Sequence, residues 1–135
     1  MPQRVYVDSN IFIYLIDGDD DTRRRALSAL EEFDRQNANL FTSELTIAEC
    51  TIAPIRDRRP DIVSAFHGLL EDPKIVELAP ITRDTLGLAA NMAAELRLKL
   101  PDAIHVATAE ALSCSVFLTN DRGIRAPAGI EIRHI

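Results

Sequence analysis

Val5-Tyr6-Val7-Asp8-Ser9-Asn10 is the stretch on which the reading of this chain turns. Three residues of high strand propensity end at an acid. Asp8-Ser9-Asn10 is a strong helix-start signal, and the apolar run Ile11-Phe-Ile-Tyr-Leu-Ile16 follows it. The segment reads as strand, turn and short helix. The same alternation recurs downstream. Asp19-Asp20-Asp21 places negative charge at the start of a second helix, where the macrodipole favours it. That helix runs to about Gln36, with Ala26, Leu27, Leu30 and Phe33 as its buried stripe. Leu40-Phe41-Thr42 is a second strand. Ser43 then caps a helix carrying Leu45, Ile47, Ala48 and Ile52, and Pro60-Asp61 opens another with Ile62, Phe66, Leu69 and Leu70 inside.

Ile75-Val76-Glu77-Leu78 reads as a third strand. A long amphipathic helix is expected from Thr82 to Leu100, on Leu86, Ala89, Ala90, Ala93 and Leu96. Pro101 breaks it and serves as the first residue of the next helix, which reaches about Leu112. Val116-Phe117-Leu118 and Ile130-Glu131-Ile132 complete a set of about five strands. Strands alternating with helices predict an α/β fold, with a central, mainly parallel sheet and helices on both faces.

The 135 residues make one domain, 1–135, long enough to bury a core. With 47% apolar residues the chain is globular, and no apolar run approaches the roughly 20 residues of a membrane span. The N-terminus shows no signal-peptide pattern, so a cytoplasmic location is expected. Cys50 and Cys114 match no metal spacing and read as small core residues without a disulfide. His67, His105 and His134 are isolated. His105 stands three residues after Asp102 on one helix, within reach of a local hydrogen bond, and reads as structural rather than as a metal ligand. The net charge of −6 disfavours nucleic-acid binding over the whole surface. Against that, 13 of the 15 basic residues are Arg, which suits bidentate phosphate contacts, with clusters at Arg23-Arg24-Arg25 and at Arg56, Arg58 and Arg59. The competing reading of both clusters is a solvated helix end.

Ligand sites in parallel sheets lie beyond the carboxyl ends of the strands. Asp8 and Asp121 both fall there, while Glu49 and Asp102 lie on helices. Each has an ordinary structural explanation: Asp8 or Ser9 as a helix cap, Asp102 as a first-turn acid, Asp121 as a turn residue, Glu49 as a surface residue near Arg56. The combination points further. Two carboxylates about 4 Å apart repel by about 4 kcal/mol at an effective dielectric near 20. Four in one pocket therefore take up protons or hold a cation. An all-oxygen set suits Mg²⁺ or Mn²⁺, the chemistry of nucleases and some phosphatases.

Four motifs in order, from end to end of the chain, resemble those of the PIN domain, specifically the VapC-type toxin ribonucleases of toxin–antitoxin pairs. Val7-Asp8-Ser9-Asn10 is similar to the family's opening acidic motif. Ser43 to Glu49 resembles the second, Pro101-Asp102 with its alanine-rich helix the third, and Leu118-Thr119-Asn120-Asp121 the fourth. The resemblance implies a three-layer α/β/α sandwich. It implies that Asp8, Glu49, Asp102 and Asp121 bind Mg²⁺ or Mn²⁺, directly or through water, with Asn10 and Thr119 orienting the acids or the attacking water. Glu44 is the rival to Glu49. The implied activity is endoribonuclease cleavage by metal-activated water, leaving a 5′-phosphate and a 3′-hydroxyl. The implied partners are an RNA substrate, a cognate antitoxin and a second copy in a homodimer. Arg23 to Arg25 or Arg56 to Arg59 are the candidates for holding RNA.

Two other readings compete. A metal-dependent phosphatase needs an Asp nucleophile and usually a neutralising Lys, but position 10 is Asn where a D-x-D motif requires acid, and Lys74 and Lys99 are not at strand ends. A non-catalytic PIN-like interaction module has no need of four acids.

Overall fold

The computed structural model describes all residues, 1–135. Five strands form one sheet: β1 (Arg4–Val7), β2 (Asn39–Ser43), β3 (Glu77–Ala79), β4 (Val116–Thr119) and β5 (Glu131–His134). Every pairing is parallel and the order is β3-β2-β1-β4-β5. Strand order therefore reverses direction between β1 and β4, which places a topological switch point beyond Val7 and Thr119.

Six helices connect the strands: α1 (Ser9–Asp17), α2 (Asp20–Arg35), α3 (Leu45–Arg56), α4 (Pro60–Leu70), α5 (Arg83–Leu96) and α6 (Leu100–Ala111). Side-chain alternation along the central strands separates two cores. Val5, Val7, Val116 and Leu118 join Ile11, Phe12, Ala26, Phe33, Phe66 and Leu70, under α1 to α4. Tyr6 and Phe117 join Ala89, Met92 and the buried alanines of α6, under α5 and α6. The result is the three-layer α/β/α sandwich with a parallel centre. The small residues Ala103, Ala107 and Ala109 are fully buried, so α6 lies close against the sheet and its neighbours. Burying each large apolar side chain contributes about 1.5–3 kcal/mol, and Tyr6 and Phe117 on the central strands and Phe12 on α1 are fully buried.

The sequence placed several details differently. Leu27, Ile52 and Leu86, expected inside, are 44%, 61% and 45% exposed. The helical stripe on α2 turns on Ala26 and Phe33, and Leu27 falls on its solvent side. The long helix ends at Leu96, not Leu100, because Arg97 enters the left-handed region (φ 55, ψ 50) with its N–H on the Ala93 carbonyl. Leu100, not Pro101, is then the first residue of α6. Ile75 and Val76 form a turn on the Asp72 carbonyl rather than the start of a strand, so β3 is a residue or two later. Both cysteines are buried and unpaired. No helix is long and apolar enough to cross a membrane.

Candidate active site

Asp8 leaves β1 with its backbone N–H still bonded to the Leu118 carbonyl of β4, 2.9 Å away. It is also the N-cap of α1: its Oδ1 accepts from the Ser9 N–H at 2.8 Å. Its Oδ2 accepts from the Thr119 hydroxyl at 2.8 Å and from the Asn10 amide at 3.2 Å. The cap and the site are thus the same residue, not alternative explanations of it. Asn10 also reaches the Thr119 hydroxyl, and its carbonyl accepts from the Asn120 N–H. The Thr119 hydroxyl accepts in turn from the Asp121 N–H at 3.0 Å. Thr119 and Asn10 therefore stitch the carboxyl ends of β1 and β4 together and set the backbone that carries Asp121. Asp121 Oδ1 accepts from the Gly123 N–H, which leaves its other oxygen without a protein partner.

Glu49 reaches the same edge from α3. Its Oε1 sits 2.5 Å from Nε2 of His105, whose Nδ1 is 2.5 Å from the Tyr6 hydroxyl. His105 is 1% exposed, and the Asp8 carboxylate is 3.9 Å from its Nε2. Burial keeps Tyr6 a phenol far into the alkaline range, and its hydroxyl and Glu49 Oε1 each hold one ring nitrogen of His105. Burial pushes Glu49 up, but the His105 hydrogen bond and charge outweigh it and hold the carboxyl below its usual range. Burial likewise opposes a charged His105, yet the Glu49 hydrogen bond and the Asp8 and Glu49 charges raise it. The sequence expectation paired His105 with Asp102, on its own helix; the structure pairs it with Glu49, 56 residues away. No sequence signal announced that partner.

Asp102, in the first turn of α6, is in the opposite condition. Burial, then the charges of Asp8 and Asp121, push its carboxyl above the usual range; Glu49 adds to this and only His105 opposes it. No hydrogen bond helps to keep it ionised. All four sequence-selected acids are thereby brought to one electrostatic neighbourhood. Glu44 is not among the acids acting on Asp102; it is exposed at the start of α3. The Cys50 thiol beside Glu49 is pushed up to about 12 by burial, then by Glu49 and Asp8, and is inert filler.

The acids do not form a finished cage: no three His, Cys, Asp or Glu side chains surround one point at ligating distance. What the site presents instead is an all-oxygen set in which burial and the charges of Asp8, Asp121 and Glu49 push the Asp102 carboxyl up. That donor set fits a hard divalent cation. Five of the six expected RNA-binding arginines stand in exposed ion pairs. Arg23 pairs with Asp20, Arg24 and Arg25 with Asp21, Arg56 with Asp57, and Arg59 with Asp17. Arg58 makes no such pair and borders a shallow cavity with Ile55 and Val63 that contains none of the four acids.

Fold and site define a parallel α/β domain with an acidic switch-point edge. A sequence profile of the PIN domain matches residues 5–130, and the chain belongs to that family. An uncharacterised protein of Archaeoglobus fulgidus is 63% identical over 46 residues, 32% of this chain and 72% of that protein. A toxin–antitoxin complex from Klebsiella pneumoniae contains a chain of the same fold, with TM-score 0.69, 24% identity and coverage of 93% and 94% of the two chains. VapBC2 from Rickettsia felis, bound to a DNA fragment from its promoter, matches with TM-score 0.69 at 14% identity over 98% of each chain. VapC20 of Mycobacterium tuberculosis, a toxin that cleaves the sarcin–ricin loop, matches with TM-score 0.69 at 15% identity over 84% and 86%.

Proposed function

We propose that this chain is a Mg²⁺- or Mn²⁺-dependent endoribonuclease, acting as one domain and as the toxin of a type II toxin–antitoxin pair. The observation that supports the reading is the placing of Asp8 beyond β1, with Glu49 joined through His105 to within 3.9 Å of it, and of Asp102 and Asp121 on one cavity beyond β4. Membership of the PIN family and the shared fold with toxin structures support the biological role.

Asp8, Asp102, Glu49 and Asp121 hold the ion, directly or through water. When bound, the ion supplies the charge that acidifies an attacking water and neutralises the scissile phosphate. The chain's own residues do the positioning. Thr119 and Asn10 fix the Asp8 carboxylate. His105 holds Oε1 of Glu49, and the Gly123 N–H holds Oδ1 of Asp121. Because water and not the 2′-hydroxyl attacks, the products carry a 5′-phosphate and a 3′-hydroxyl. The partners in this reading are RNA, a cognate antitoxin that blocks the site, and a second copy in a homodimer, all in the cytoplasm.

Sequencing of RNA ends after brief expression tests the activity: discrete new 5′-phosphate ends are expected with the wild-type chain and none with Asp8→Asn. Calorimetric titration with Mn²⁺ separates the nuclease from a non-catalytic PIN-like module, because a pure interaction surface has no reason to take up the ion. Cleavage by purified Asp8→Asn at the wild-type rate overturns the assignment.

A further inference from the structure

The cations of this chain fall into two groups. Those on α2, such as Arg24 and Arg25, are matched to acids on their own helix. Others enter no ion pair, Arg4, Arg58, Lys74 and Arg83 among them, and four of these unpaired cations, Arg97, Lys99, Arg122 and Arg125, lie close in sequence to Asp102 or Asp121. These residues come from two segments, the turn between α5 and α6 and the loop after β4. Arg125 ties the two together, donating from Nη1 to the carbonyls of Leu96 at 2.8 Å and Arg97 at 3.1 Å.

The tied segments border an open cavity of about 270 Å³, in which Arg97, Lys99 and Arg125 share the wall with Asp102, Asp121 and Gly123. Acid and base thus line one space without pairing. Arg97 and Lys99 are exposed. In a chain of net charge −6, a polyanion gains most where cations stand free, since contact there displaces no carboxylate. Charges beyond about 8 Å are largely screened at physiological salt, so this local set governs an approach to Asp102 more than the overall charge does. Asn37, Arg58 and Ser113 share the left-handed conformation that Arg97 adopts, so the backbone bears on the design of a variant rather than on the subsite. Arg97 occupies the left-handed cap of α5 (φ 55), a position where glycine is the unstrained choice.

We propose that Arg97 and Lys99, braced by Arg125, form a subsite for RNA backbone phosphate flanking the acidic site on its Asp102–Asp121 side. The proposal rests on the nuclease reading above, and it moves the RNA path away from the arginine clusters that the sequence singled out.

The test is binding of a fluorescein-labelled single-stranded RNA of about 12 nucleotides to the full chain in chelator, as a function of salt. Each phosphate contact on a single strand contributes about 0.7 to the slope of log affinity against log salt. The Arg97→Gly/Lys99→Gln variant is expected to bind about tenfold more weakly at low salt, with a slope smaller by about 1.4. Arg97→Gly relieves a strained backbone, so its melting temperature is expected to be no lower than that of the wild type, and weaker binding is then not a folding effect. Arg23→Gln/Arg24→Gln removes the same charge from α2 and is expected to leave the slope unchanged. A wild-type slope in Arg97→Gly/Lys99→Gln, or an equal loss in the α2 variant, overturns the subsite while RNA cleavage by the wild type leaves the nuclease reading standing. A wild-type chain that neither binds nor cuts RNA overturns both. An unchanged RNA slope with lost binding of an acidic protein partner assigns the surface to that partner instead.

Discussion

Glu49 and Asp102 both project from helices toward the same sheet edge, and the protein treats them in opposite ways. Glu49 is clasped: His105 holds one of its oxygens, Tyr6 holds His105, and the carboxyl lies below its usual range. Asp102 is bare: no donor reaches it, and burial and three neighbouring carboxylates lift it above its usual range. One side of the site is built before any ligand arrives, and the other carries an electrostatic cost. A site that repels itself only where it is unbraced keeps its geometry while retaining a demand for positive charge.

The largest effect expected is on the element common to both sides. Asp8→Asn keeps much of the α1 cap but removes the central charge, and a fall in RNA cleavage of about a thousandfold or more is expected in a gel assay. Its circular dichroism should match that of the wild type; an unfolded variant would instead locate the role of Asp8 in the cap.

The next test breaks the clasp. His105→Ala leaves Tyr6 and Glu49 without their buried partner and should cost about 3 kcal/mol in urea unfolding. In a Glu49→Gln background the cost should shrink, since the residues are coupled. An identical cost in both backgrounds would show that His105 merely fills space.

Asp102→Asn should act with the opposite sign. Removing the repelled charge is expected to raise stability by about 1 kcal/mol or less when divalent ions are absent, while reducing the rise in melting temperature that Mn²⁺ gives the wild type. Glu49→Gln, by contrast, should lower stability without metal. Two variants shifting in the same direction would erase the distinction between the two sides.

The smallest effect is in the pH dependence of stability. Glu49 is depressed from an ordinary value of 4.5, so its contribution is present above that value and lost as pH falls through the folded one. His105 is raised from 6.5, so its contribution is present below 6.5 and lost as pH rises through its folded value. The clasp therefore contributes fully between about 4.5 and 6.5. Thermal melts across pH should show that plateau in the wild type and a flatter profile in Glu49→Gln. A profile unchanged by Glu49→Gln would place the titration elsewhere.

Much of this was open to inspection in the chain itself. Val5-Tyr6-Val7 and Val116-Phe117-Leu118 are short apolar runs ending in acid or near it, and hydrophobic periodicity alone separates them from the helices between. Boundaries were harder. Arg97 ends α5 by adopting a left-handed conformation that nothing in its side chain advertises, and Leu27 and Leu86 match a helical stripe yet face solvent, while Ala26 and Ala89 on the same helices are fully buried. The ion pairs of Arg23, Arg24 and Arg25 with Asp20 and Asp21 follow from helical spacing on α2.

Sequence alone determined the alternation of strands and helices and the four acids that end or flank them, since both follow from local propensity and side-chain chemistry. Tertiary structure decided which of those acids is braced. The Tyr6–His105–Glu49 chain spans 99 residues between Tyr6 and His105 and 56 between His105 and Glu49. Neither separation leaves a local trace, because a contact made only when three layers close depends on sheet order and helix packing rather than on any neighbour in the chain.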